Sequence, residues 1–361
     1  MKRKVLMVCS SVFQLYVAIA LKKNFYFNDD VDLILTDSTP IFKSLIEEKQ
    51  LYSIFHKINY SEVNKNISDL NRLERSHYFK PLFELFPRYY VKKIWKVEIG
   101  QYDEYCFSIY HQFNILLASY LKNQNANIKI SMFEDGISTY LIDCSYQYSV
   151  NKNRIQNCLS KIYLFEPELL CINTEKELVA IPQIKNDSEV MELMQFTFKG
   201  RGNKVKEKFI FFEESFSNDG YTTNDTELIN NLYACLNNQD FLLKHHPRNR
   251  KDRFQKILPT MDGNIFWEYY FLENPIDDKV LVTISSNTVF TPHIINGSSP
   301  YVILLYKLFQ GTSPILGSGY FDEYIEKYKK EYPEYARKKI FIPESMNEFY
   351  EVVLKLREEN L

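Results

Sequence analysis

Glycine is scarce in this chain, at 10 of 361 residues, which argues against a fibrous or flexible protein. No apolar run approaches the roughly 18 residues that a membrane span needs. The densest, Tyr301 to Tyr306, has the length of a strand. Six cysteines (Cys9, Cys106, Cys144, Cys158, Cys171 and Cys235) are scattered with no C-x-x-C pair, and no cleavable leader is read at the start, so reduced thiols in a cytosol are expected. Positive charge is not in excess: 44 Lys and Arg stand against 46 Asp and Glu, a formal net charge of −2, so nucleic acid is not an expected partner. The sequence has no G-x-S-x-G, no Walker loop and no G-x-G-x-x-G, which removes the usual hydrolase, NTPase and dinucleotide readings.

What is present is an ordinary globular balance, 45% hydrophobic and 25% charged, with 27 Tyr and 27 Phe. A chain this long exceeds what one core usually supports, so two domains are expected. Lys4 to Ser11 reads as a buried strand ending in small hydroxyl residues, followed by a helix over Phe13–Lys23. Further strands are expected at Val31–Thr36, Tyr105–Ile109, Ile128–Phe133 and Ile162–Phe165. The polar stretch around Lys199-Gly200-Arg201-Gly202-Asn203-Lys204 reads as a hinge, after which the pattern restarts with a strand at Lys208–Phe212. A helix near Asp225–Asn237, strands at Phe241–Lys244, Val280–Ile284, Tyr301–Leu305 and Lys339–Ile342, and a closing helix at Ser345–Leu356 complete the second half. Strands separated by helical lengths predict parallel sheets covered on both faces. The expected division is an acceptor-side α/β domain over 1–198 and a nucleotide-binding α/β domain over 205–361.

Open α/β sheets bind ligands at the carboxyl ends of their strands, and three short constellations stand at such ends. Phe133-Glu134-Asp135-Gly136 puts two acids and a glycine after a strand, which suits a general base or a plain Asp-Gly turn. Lys244-His245-His246-Pro247-Arg248 follows Phe241–Leu243. Its proline holds the preceding residue extended, and a histidine there can serve a phosphate leaving group or only pack. Ile284-Ser285-Ser286-Asn287-Thr288 turns a strand into a helix, an arrangement that cradles an anion or simply caps. Glu268 stands 17 residues before Ser285, close enough for adjacent loops to bring both to one nucleotide, where a carboxylate can accept from a ribose diol. Asp30-Val31-Asp32 is the one metal-like pattern, and it lies before a strand with no further ligands at suitable spacing. No metal and no cofactor are expected.

Glu-Asp-Gly in the first half, His-Pro in the second, then Glu and a Ser-Ser pair resemble the shared motifs of bacterial sialyltransferases. The opening Val8-Cys9-Ser10-Ser11-Val12-Phe13-Gln14-Leu15 is similar to the start of glycosyltransferase family 52. The resemblance implies a GT-B enzyme, two Rossmann-like α/β domains facing across a cleft, that transfers sialic acid from CMP-sialic acid with inversion to a galactose-terminated acceptor in capsule or lipooligosaccharide synthesis. On that resemblance Asp135 is the base with Glu134 as its fallback, and His246 serves the departing CMP phosphate. Ser285 and Ser286 bind that phosphate, while Glu268 and Lys244 complete the nucleotide site. His245 precedes His246, and only the proline register favours the latter. Other readings stay open: a CDP-glycerol or UDP-hexose transferase of cell-envelope polymers, or a non-catalytic GT-B binding module. Location is expected to be cytoplasmic, and both a monomer and a homodimer stay open. Arg88-Tyr89-Tyr90-Val91-Lys92-Lys93-Ile94-Trp95-Lys96 reads either as a solvated helix face with Trp95 in the core or as a peripheral membrane contact, and the aromatic, basic stretch Asn64–Glu98 as a candidate acceptor surface.

Overall fold

The computed structural model describes residues 2–64, 86–109, 112–141, 155, 157–184, 188–198, 204–237, 239–246, 249, 253–254, 257–263, 265–313 and 315–358. Most of the candidate acceptor stretch, the residues 199–203 of the hinge, Cys144, Pro247 and Arg248 lie outside them. The chain divides into two compact units. The first comprises Met1–Asp135, Asp143–Pro167 and Asn173–Thr197; the second comprises Gly136–Ile142, Glu168–Ile172 and Phe198–Leu361.

The first unit is built on a seven-stranded, wholly parallel sheet of β1 (Lys4–Cys9), β2 (Asp30–Thr36), β3 (Lys57–Ser61), β4 (Glu104–Phe107), β5 (Lys129–Phe133), β6 (Leu159–Leu164) and β7 (Glu177–Ala180). Its order, β3-β2-β1-β4-β5-β6-β7, reverses direction between β1 and β4, the point where doubly wound sheets open a crevice. Val5 to Cys9 are all buried, as an unbroken apolar run requires of a strand covered on both faces. The helix Val12–Asn24 that follows is buried from Phe13 through Leu21, so it too lies between layers. At the amino ends of the strands, the buried Glu104 carboxylate accepts from Tyr26 (2.9 Å) and Ser131 (2.6 Å), with Arg3 at 3.5 Å. That end is closed by structural polar contacts, which leaves the carboxyl ends for ligands.

The second unit carries a five-stranded parallel sheet of β8 (Phe209–Phe212), β9 (Phe241–Lys244), β10 (Val280–Thr283), β11 (Tyr301–Leu304) and β12 (Ile340–Phe341), in the order β12-β11-β10-β8-β9. Direction reverses between β8 and β10, so β8 is flanked by the two strands whose ends carry the His-His and Ser-Ser pairs. Its core gathers Phe209, Phe211, Val280, Val282, Leu243 and Ile303 against the helices Asp225–Cys235 and Met346–Glu358.

The basic and aromatic stretch is a short helix, Pro87–Tyr89, running into a single π turn, Tyr90–Ile94. Trp95 is buried with its ring edge-on to Phe113 at 4.8 Å, as the core reading expects, while Arg88, Tyr89, Lys92 and Lys93 are exposed. No helix among the described residues is long and apolar enough to cross a membrane.

Candidate active site

In the first unit the chemistry gathers at the carboxyl ends of β1 and β5. Ser11 caps the helix Val12–Asn24 by accepting the Gln14 N–H at 3.1 Å. Ser11 and Gln14 have the spacing of a capping box, but the Gln14 side chain reaches one residue further back, its oxygen accepting the Ser10 N–H at 2.5 Å. With the oxygen so occupied, the amide nitrogen turns outward and donates to Asp135 Oδ1. Burial pushes the Asp135 carboxyl up to about 6, against the lowering effect of the Gln14 hydrogen bond. A carboxylate poised there is ionised at neutral pH yet basic enough to take a proton from a hydroxyl. The buried Cys9 thiol beside it is pushed well above its ordinary value, first by burial and then by Asp135.

The two adjacent acids separate by side of the strand end. Glu134 is 0% exposed and accepts the Phe165 N–H at 2.9 Å, tying β5 to the end of β6. Asp135 is only half-buried. Gly136 adopts φ +91°, the left-handed region that favours glycine, and a Cβ there would lie in tight contact, 3.0 Å, with Asn287 Nδ2.

In the second unit three strand ends converge. Glu213, buried at the end of β8, accepts from His245 Nδ1 at 2.9 Å, from the His246 N–H at 3.3 Å and from Arg253 at 2.7 Å. Burial opposes its ionisation, but hydrogen bonds from His245, Asn249 and Arg253 hold its carboxyl below the usual range. His245 is thus fixed with its Nδ1 toward Glu213, and His246, half-buried, follows on the alternate side of the strand end. Glu214 accepts both the N–H and the hydroxyl of Ser285, at 2.6 and 2.8 Å, on one oxygen. Burial pushes Glu214 up to about 8, against those same hydrogen bonds.

Ser286 is half-buried and caps the 3-10 turn Asn287–Val289, its Oγ 2.9 Å from Thr288 Oγ1. Glu268 sits in the first turn of the helix Trp267–Glu273, and the Trp267 indole N–H donates to the Thr288 carbonyl at 2.9 Å, which fastens that helix start to the serine loop. Lys244, at the end of β9, faces Glu268. Burial lowers Lys244 and raises Glu268, and each partly restores the other's charge. The second unit therefore brings Lys244, His245, His246, Glu268, Ser285 and Ser286 to one edge of its sheet, while Asp135 and Glu134 belong to the first. Gln14, Glu213, Glu214, Arg253 and Trp267 carry contacts that sequence reading left without a role. An acid pair directly after a strand was the one available signal for Glu213 and Glu214. No group of three or more His, Cys, Asp or Glu able to hold a metal occurs among the described residues.

Solved structures share this fold at low identity. UGT2 of Phytolacca americana, complexed with UDP-2fluoro-glucose and pterostilbene, superposes with a TM-score of 0.50 at 11% identity over 99% of this chain and 91% of that one. TcCGT1 in complex with UDP gives 0.50 at 10% identity over 99% and 90%. Both are GT-B glycosyltransferases, and that is the fold of this chain. No curated protein matches. The family model of the alpha-2,8-polysialyltransferases (POLYST) matches residues 5–304, most of the length and both units. The chain belongs to that family, and so to the sialyltransferases among the glycosyltransferases.

Proposed function

We propose that the protein is an inverting sialyltransferase that takes sialic acid from CMP-sialic acid and works in the synthesis of a bacterial surface glycan, as the likeness of its opening to glycosyltransferase family 52 also suggests. The observation that carries this reading is the half-buried Asp135 carboxylate, raised to about 6 by burial and steadied by Gln14, at the carboxyl edge of a GT-B sheet in a sialyltransferase family. Asp135 takes the proton of the acceptor hydroxyl as that oxygen attacks the anomeric carbon. The bond from that carbon to the phosphate oxygen breaks, and its electron pair leaves with CMP. His246 donates to the departing phosphate, the serine loop binds it, and Glu268 with Lys244 holds the nucleotide. Arg88, Tyr89, Lys92 and Lys93, exposed beside the buried Trp95, suit a peripheral contact with the cytoplasmic face of a membrane.

The acceptor expected from the motifs ends in galactose. The name of the matching family favours a second reading, an acceptor already ending in sialic acid and extended through an α2,8 linkage. Purified protein incubated with CMP-sialic acid, and separately with CDP-glycerol, UDP-glucose and UDP-galactose, each with lactose or sialyllactose, decides between these. Acceptor-dependent CMP release is the expected result, and the acceptor that supports it identifies the glycan end. Consumption of another donor alone would overturn the donor assignment.

A further inference from the structure

The dipeptide Glu213-Glu214 extends from the strand that lies between the two motif-bearing strands. Successive side chains at a strand end turn to opposite sides, so each acid reaches a different neighbour. Glu213 reaches the end of β9 and Glu214 the end of β10. We propose that this pair is the positioning device of the donor-phosphate site, with Glu213 holding the His245–His246 turn as a carboxylate and Glu214 holding Ser285 as a neutral carboxylic acid. The proposal rests on the reading of those two loops as the phosphate site.

The partners distinguish the two acids. Among the described residues, every group facing Glu213 is a donor: the His245 ring, the His246 N–H, the Asn249 side chain, and Arg253, which also reaches Asp225 and Thr226 at 2.7 Å each. A charged acceptor suits that setting. Glu214 instead meets neutral donors alone, the N–H and hydroxyl of Ser285, both on Oε1, and the Ile284 N–H, while its Oε2 is buried with no partner among the described residues. Among the described residues, the charged groups around it are its neighbour Glu213, Asp225 on the adjoining helix, which raises it further, and Arg253, already engaged by both of those carboxylates. An oxygen so placed is better protonated than charged, and burial carries the group up to about 8. A neutral Glu214 also spares the incoming phosphate a like charge directly behind the serine loop. Both donors of Ser285 are spent inside the protein, so Ser286 is the hydroxyl that meets the phosphate and Ser285 sets the loop's shape.

The two isosteric substitutions should then diverge. Glu214→Gln reproduces the neutral acid: kcat/KM for CMP-sialic acid at pH 7 stays within about threefold of wild type, and the alkaline fall through pH about 8 expected of wild type is absent from the variant. Glu213→Gln removes the charge facing Arg253 and the two histidines, and kcat/KM falls by about 10- to 100-fold, the range for losing a charge-assisted hydrogen bond.

Thermal melting against pH provides a readout independent of the donor. Because the folded Glu214 binds its proton more tightly than the unfolded chain does, its contribution to stability declines from about pH 4 up to about 8 and is level above that. The wild-type melting temperature should decline over that range relative to Glu214→Gln. Equal losses in the two variants, an unaffected Glu213→Gln, or a Glu214→Gln protein that keeps both the alkaline fall and the melting slope would overturn the proposal. Should wild type release no CMP while Glu214→Gln abolishes the melting slope, the neutral-acid assignment stands and the transferase reading fails.

Discussion

The side-chain amide of Gln14 donates to the Asp135 carboxylate while its own oxygen accepts the Ser10 N–H at 2.5 Å. Two residues 121 positions apart thereby share one geometry across the ends of β1 and β5. The turn after the first strand fixes the amide, and the amide fixes the carboxylate.

Removing that donor should move the pH dependence. Burial raises Asp135 and Gln14 lowers it, so Gln14→Ala lifts the carboxyl above its present value of about 6. A base must be ionised to act, so activity falls as pH drops through its pKa, and the acid limb of kcat/KM should shift upward in the variant. A shift of one pH unit lowers the rate about tenfold on that limb and leaves the two proteins equal above pH about 8. Profiles that differ by a constant factor at every pH would contradict the assignment.

Glu134→Ala should behave as a structural lesion. It leaves the buried Phe165 N–H without its acceptor, which costs about 1–3 kcal/mol. The urea midpoint should fall accordingly, while the acid limb of the activity that survives stays where it is in wild type. An acid limb displaced in this variant would return Glu134 to the reaction.

Gly136→Ala forces a side chain onto a backbone at φ +91° and against Asn287. The strain is worth about 1–3 kcal/mol, so the melting temperature should fall by several degrees. An unchanged melting temperature would mean that the Asp-Gly turn relaxes more easily than its geometry implies.

Continuous apolar runs made most strands legible: Phe241–Lys244 is found as read, and Val280–Thr283 and Tyr301–Leu304 differ from expectation by one residue at an end. Lys57–Ser61 and Glu177–Ala180 escaped because they form the two edges of the first sheet and carry polar residues where an interior strand would not. The motif residues were legible from their place after strands, but their division of labour was not. Which of Glu134 and Asp135 turns inward depends on the twist at a strand end. The role of Glu213-Glu214 depends on β8 lying between β9 and β10, a lateral order that chain order does not reveal. Gln14 was visible only as a letter in a familiar opening, since its partner lies in a segment 121 residues away.

Asp135→Asn is the decisive variant, measured for transfer from CMP-sialic acid and for CMP binding by calorimetry in the same preparation. The predicted result is a loss of about 10²- to 10⁴-fold in transfer, with CMP affinity within a few-fold of wild type, since the nucleotide is assigned to groups of the second unit. Transfer retained within a few-fold would contradict the assignment of Asp135 as the base.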